Sequence, residues 1–323
     1  MKALVFLEHR GTGLDPGALG VLGRAAAVGG DVAAVVAGRG PLKELASEAG
    51  AYGAAHVYVA EDEGLDPPVA QPRIDVLEHV VLSGGFDTVL FSTSVLAVDV
   101  AAGLAGRLDA GLNWDLVDLE VRNGEPVGQR LALQDSVMVE VGWRSPSRLA
   151  LFRRGVFDAV ASGPREPVIE TVAAPAVDPS RGVSVVDHVP RESEGPSIAD
   201  AEVIVAGGIG LGAAEHFALA EELAGALGGA VGASRAAVYK GWYPVSAQIG
   251  QTGKTVSPKL YVALGISGAV QHKVGMQNSK VIIAINTDPS APIFAFSDLG
   301  VVGDVHTIVP KLVALLQERK GPG

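Results

Sequence analysis

The stretch "QIGQTGKTVSP" (248–258) ends in Gly253-Lys254-Thr255, the closing positions of the phosphate-cradling pattern G-x-x-x-x-G-K-[ST]. The first glycine of that pattern is absent, because position 248 is Gln. A phosphate loop must also run into a helix whose N-terminal N–H groups face the anion. Here Pro258 disfavours helix just past the lysine, and "KLYVALGI" follows as a strand-like run. The stretch is therefore read as a different kind of loop.

A second glycine cluster, "GGIGLGAAEHFALAEELA", puts Gly208, Gly210 and Ala213 in the G-x-G-x-x-[GA] spacing of a dinucleotide turn. The next strand ends in Ser234-Arg235, and an arginine there would suit NADP. The competing reading is a glycine turn that lets neighbouring backbones pack closely. A third stretch, "GISGAVQHKVGM", sets Gly265, Ser267 and Gly268 at a strand-to-helix turn, with its N–H groups and helix N-terminus available to an anion. His272 follows one turn later, and a lone histidine in that place is more often a cap or a surface residue. What favours a site is density. Ser234, Arg235, Gln251, Thr252, Ser267, Gln271, His272 and Asn286 all fall near the C-terminal ends of expected strands, the edge where open α/β sheets bind ligands.

The elements that must position these residues alternate. "KALVFLE", "DVAAVVAG", "AAHVYVA" and "FDTVLFSTS" are strand-like, with helical stretches at 17–28, 41–50, 69–82 and 97–108 between them. "DLVDLEV", "EPVGQRLAL" and "DSVMVEV" are closely spaced and predict an antiparallel extension. From Gly163 to Asp200 lie Pro164, Pro167, Pro175, Pro179, Pro190 and Pro196, which mark a linker or extended edge segment. The rhythm then restarts: strands at 201–208, 229–235, 258–266, 279–286 and 292–297, helices at 213–228, 267–276 and 304–320. The expected fold class is α/β with two domains, 1–189 and 190–323, each on a largely parallel sheet, the second doubly wound.

The 323 residues carry a net charge of −11, which argues against nucleic acid as the main partner. Cysteine is absent, removing disulfides, thiolate catalysis, Cys-ligated zinc and Cys-ligated iron–sulfur clusters, so a redox role needs an organic cofactor. No metal site and no catalytic triad are expected. The apolar run in "MKALVFLEHR" is too short for a signal peptide, and no stretch suits membrane insertion, so a cytoplasmic protein is expected.

Taken together, "VGASRAAV", "GW", "QIGQTGKTVSPKLYVALGISGAVQH", "AINTDPSAPIF" and "GVVGDV" resemble the α subunit of electron transfer flavoproteins. The first 190 residues resemble its N-terminal domain more loosely, in "GFDTVLFSTS" and "GLNWDLVDL". The resemblance implies an FAD site in the second domain and a heterodimer with a β subunit packed on the first. It places Ser234 and Arg235 beside the isoalloxazine, Gln251 and Thr252 at its edge with the Thr252 hydroxyl near N5, and His272 toward O2. Ser267, Gly268 and Gln271 would hold the ribityl and pyrophosphate portion, and Asn286 and Asp304 would sit toward the adenosine. Ile249, Gly250, Ala269, Val270 and Val305 complete the expected contact set. Arg235, the helix N-terminus and, if protonated, His272 would stabilise negative charge on the reduced ring.

Two positions depart from the family's pattern. Ile209 stands where an arginine is common, and Tyr239-Lys240 where Asp-Ala is frequent. The implied role is an electron carrier between dehydrogenase donors of the acyl-CoA type and a membrane quinone reductase. The alternatives are a flavin-bifurcating form that oxidises NADH with a second FAD, and an NADP-dependent oxidoreductase using "GGIGLG".

Overall fold

The computed structural model describes residues 1–10, 13–29, 31–66, 68–133, 137–163, 165–174, 185–187, 197–199 and 201–320. The chain divides into two compact units, Met1–Val189 and Pro190–Gly323.

The first unit begins with β1 (Lys2–Leu7), a short antiparallel pair β2 (His9–Arg10) and β3 (Gly13–Leu14), α1 (Pro16–Ala27), β4 (Asp31–Gly38) and α2 (Leu42–Ala51). It continues with β5 (His56–Glu61), α3 (Ala70–Gly84), β6 (Thr88–Ser92) and α4 (Val95–Leu108). The helices start where the sequence caps them. Asp15 accepts from the N–H groups of Gly17 and Ala18 ahead of Pro16, and Ser94 accepts from Ala97. The long hairpin β7 (Gly111–Arg122) and β8 (Glu125–Ala132) is followed by β9 (Val137–Val141), β10 (Arg148–Phe152) and β11 (Val168–Thr171). The sheet order is β11-β5-β4-β1-β6-β10-β7-β8-β9, antiparallel only at β7-β8 and β8-β9. Strands β1 and β4 are buried almost end to end, as befits parallel strands covered on both faces. Strand β10 was not expected from the sequence. It returns the chain between β6 and β7, so the hairpin continues the parallel sheet. Part of the proline-rich segment forms the edge strand β11 on β5. Pro164, Pro175, Pro179, Pro190, Pro196 and the boundary at 190 lie outside the described residues.

The second unit contains β12 (Val203–Gly207), α5 (Phe217–Leu227), β13 (Ala230–Ser234), α6 (Arg235–Tyr239), β14 (Gln248–Ile249) and β15 (Leu260–Leu264). It ends with α7 (Val270–Lys273), β16 (Val281–Asn286), β17 (Leu299–Val302) and α8 (Val305–Lys320). All six strands are parallel in the order β14-β13-β12-β15-β16-β17. Counted from β12 this is 3-2-1-4-5-6, the doubly wound order. Side chains alternate across the sheet. Val205, Val262 and Leu264 pack on the face of α5, α6 and α8, while Ile204, Ala206, Tyr261 and Ala263 pack on the other with Ile249, Met276 and Ile293.

Three expected elements differ. "PIFAFS" is a 3₁₀ turn over Pro292–Phe296 rather than a strand, because Pro292 has no N–H to give a ladder and its fixed φ starts a helical turn. The helix expected over 267–276 is the single turn α7, since Gly268 at φ +85° holds the preceding chain out of helix. The helix expected from 213 begins at Phe217, after 3₁₀ turns at Ile209–Leu211 and Ala214–His216. No described helix is long and apolar enough to cross a membrane.

Candidate functional site

Strands on either side of β12 connect in opposite directions, so the loops after β12 and β15 part and open a crevice at their C-terminal ends. A cavity of about 370 Å³ lies there. Gly208 and Ile209 line it from the β12 loop, and Ser234, Arg235, Ala236 and Tyr239 from the β13–α6 junction. Ile249, Gly250, Gln251 and Thr252 contribute the turn after β14. Gly265, Ile266, Ser267 and Ala269 come from the β15 loop, and Gln271 and His272 from α7.

Backbone hydrogen bonding decides between the glycine readings. In the β12 loop, Gly208 donates to Leu264, Gly210 to Gly265, Leu211 to Gly208 and Gly212 to Ile209. Those N–H groups are spent within the protein, and no α-helix starts at the glycines. A Cβ on Gly208 would lie 2.3 Å from the Gly265 carbonyl oxygen, so this glycine lets two loops touch backbone to backbone. The pyrophosphate geometry of a dinucleotide turn is therefore missing from "GGIGLG". The 248–255 turn is likewise closed on itself. Lys254 donates to Gln248 at 2.8 Å, Gly253 to Gly250 at 3.0 Å, and Gln251 to Gln271 at 2.7 Å. Gln248 is buried, and its amide Nε2 donates to the Thr252 hydroxyl at 3.2 Å.

Arg235 and Tyr239 are one helical turn apart on α6, with the guanidinium 4.8 Å from the centre of the Tyr239 ring. The Ser234 hydroxyl caps that helix by accepting from the Ala237 N–H. His272 is only 6% exposed, and its Nε2 lies 2.9 Å from the Tyr261 hydroxyl. Its Nδ1 is buried without a hydrogen-bond partner. Burial pushes the imidazole down to about 4, and the Ile249 backbone carbonyl opposes this to a lesser extent. His272 is thus neutral at pH 7, so the condition of a protonated ring is not met. The helix N-terminus expected to assist it belongs to a single turn, α7.

Gly268, Val270, Asn286, Asp304 and Val305 do not line the cavity. Gly268 passes against Ile293, where a Cβ would meet the backbone nitrogen at 2.3 Å. Val270 opens α7 with its side chain 41% exposed. Asn286 braces the β15 loop by donating to the Ile266 carbonyl at 2.9 Å. Asp304 accepts from the His306 N–H at the start of α8, and Val305 is core. Sequence reasoning missed Gln248 and Tyr261 as supports of Thr252 and His272, and Tyr239 as the partner of Arg235. A larger hollow of about 730 Å³ lies in the first unit beside α1. Its wall mixes small residues such as Gly20, Gly23, Ala26 and Gly53 with Arg24, Asp31, Asp158 and Arg165, and Arg24 is engaged by Asp118 at 2.9 Å. The smaller cavity is the one at the switch point of a doubly wound sheet.

Comparison with known proteins agrees with this geometry. The family model "Electron transfer flavoprotein domain" matches residues 3–177, and "Electron transfer flavoprotein FAD-binding domain" matches residues 197–277. The chain is 40% identical over 325 residues to an electron transfer flavoprotein subunit alpha of Mycobacterium leprae, covering 99% of both chains. It is 40% identical over 287 residues to that of Paracoccus denitrificans, covering 89% of this chain and 91% of the other. Protein FixB of Clostridium saccharobutylicum is 36% identical over 280 residues, 86% of this chain and 83% of its own length. The segment from 197 to 277 contains every residue that lines the cavity. The chain belongs to the electron transfer flavoprotein α-subunit family, electron carriers rather than catalysts, and its cofactor is FAD.

Proposed function

We propose that residues 190–323 hold FAD in the crevice between β12 and β15, and that residues 1–189 pack on a β subunit. In the cytoplasm the pair then shuttles electrons from dehydrogenases of the acyl-CoA type to a membrane quinone reductase or similar acceptor. The observation that carries this reading is the convergence of Arg235, Thr252, Gln271 and His272 on one cavity at the switch point of the sheet. His272 supplies the test of fit. Its Nδ1 is a buried polar atom without a protein partner, and the ring lines the cavity, so a ligand with a polar edge would satisfy it.

FAD, when bound, supplies one- and two-electron redox chemistry. The chain's residues are assigned positioning and electrostatics. Arg235 brings fixed positive charge to the cavity. Gln248 steadies the Thr252 hydroxyl, and Tyr261 steadies His272. A neutral imidazole stabilises added negative charge by hydrogen bonding alone. Ser234, Ile249, Gly250, Gln251, Ser267 and Ala269 shape the wall, with Gly268 and Val270 forming the turn behind it. Asn286, Asp304 and Val305 are assigned the far, adenosine end of an extended cofactor. Electron transfer needs no bond between protein and substrate, so no nucleophile or general base is required of this cavity.

The experiment is co-expression with a β subunit, a flavin count per dimer, and anaerobic addition of NADH. One flavin without reduction by NADH is expected. Two flavins with prompt bleaching identify a bifurcating form, and a colourless protein that binds NADP overturns the assignment.

A further inference from the structure

We propose that Tyr261 is a positioning residue for the cofactor site: its hydroxyl donates to Nε2 of His272 and fixes the imidazole in the tautomer that carries its proton on Nδ1. His272 then presents an N–H donor to the cavity, not a lone pair. The role of that donor rests on the reading of the cavity as the FAD site.

Tyr261 is the second residue of β15 and is fully buried among Ile204, Ile249, Ile266 and Ile282. A phenol in apolar surroundings needs a partner for its O–H. The partner it has is His272 Nε2, at 2.9 Å. Burial raises the phenol far above its usual range, so it keeps its proton. Burial likewise holds the imidazole neutral at pH 7, so the ring carries a single N–H.

Two arrangements satisfy the distance. If Nε2–H donates to the phenol oxygen, the phenolic hydrogen is left without an acceptor in an apolar core, and Nδ1 is a bare acceptor. If the phenol donates to Nε2, the phenolic hydrogen and Nε2 are satisfied and the ring proton sits on Nδ1. Each arrangement leaves one buried donor, but only Nδ1–H belongs to a ring that lines the cavity, and an acceptor there holds the first arrangement to roughly a tenth of the population or less. The single polar atom left over is Nδ1, which is buried and without a protein partner. An N–H there suits an electron-rich carbonyl oxygen or ring nitrogen of the cofactor, and it does so without a formal charge.

The test is ¹⁵N–¹H long-range correlation of the histidine side chains in the full chain, with and without FAD. There are seven histidines, and His272→Gln identifies the signal. At pH 7 with FAD bound a protonated Nδ1 and a bare Nε2 are expected; the reverse pattern overturns the proposal. In Tyr261→Phe the preference should fall toward a mixture, and FAD affinity should fall about three- to tenfold, the worth of one hydrogen bond. An unchanged tautomer in Tyr261→Phe overturns the positioning role. If the tautomer is as expected but FAD does not move the His272 signal, the reading of the cavity fails while the hold of Tyr261 on the ring stands.

Discussion

The guanidinium of Arg235 lies 4.8 Å from the centre of the Tyr239 ring and donates to the Tyr239 hydroxyl at 3.2 Å. Both residues line the cavity, and Tyr239 is 74% exposed. An exposed contact of this kind is worth about 0.5–1 kcal/mol. Tyr239→Ala should therefore release the arginine and weaken FAD binding about two- to fivefold, measured by flavin fluorescence titration. Tyr239→Phe keeps the ring face and should stay within about twofold of wild type, because the hydroxyl bond is long. Equal losses in both variants would show that the hydroxyl, not the ring, holds the arginine.

Ile209 is half exposed on the cavity wall that follows β12. Ile209→Arg adds a cation to that wall without displacing a buried side chain. At a solvent-screened separation the added charge is worth on the order of 1 kcal/mol to a reduced, more negative flavin, or about 20 mV for a two-electron couple. The midpoint potential should rise by that order and the rise should shrink with salt. An unchanged potential would place residue 209 away from the flavin ring.

The parallel strands were legible because strands buried on both faces read as continuous apolar runs, as in "KALVFL" and "VIIAIN". "PIFAF" has the same apolar signature as a 3₁₀ turn, and only Pro292 distinguishes it. Strand β10 is a five-residue run following a hairpin, too short to announce a return to the middle of the sheet. The cavity's polar side chains could be anticipated from their places at strand ends. Their supports could not. Gln248 reaches Thr252 across a tight turn, and Tyr261 reads as an ordinary strand residue until α7 folds back over it. The charge of His272 stayed open for a related reason: burial is set by tertiary packing, which spacing along the chain does not encode.

Gly268 and Gly225 should respond oppositely to alanine. Gly268 has φ +85°, and its Cβ would lie 2.3 Å from the Ile293 nitrogen and 2.5 Å from its Cα, backbone atoms that cannot swing aside. Gly268→Ala should destabilise the second unit by about 2–3 kcal/mol. Gly225 lies in α5, and an added Cβ there meets nothing within 4 Å. Gly225→Ala should stabilise by about 0.5 kcal/mol through helix propensity. Denaturant midpoints of the two variants against wild type check both signs.

His272 makes the second unit's stability depend on pH in a defined direction. Its folded-state value is about 4 and its ordinary value 6.5. Between those values the unfolded chain binds the proton and the native ring refuses it, so stability is full above about pH 7 and falls as pH drops from 6.5 toward 4. At pH 5 the loss from this residue amounts to roughly 2 kcal/mol. His272→Gln keeps an amide that can accept from Tyr261 but does not titrate. Carboxylate titrations are common to both proteins and cancel in the difference. Unfolding by guanidinium at pH 7.5 and pH 5 should therefore show wild type losing roughly 2 kcal/mol more than the variant on acidification. Equal losses would mean that the ring is protonated in the native state at pH 5, and that the buried environment around Nδ1 admits charge.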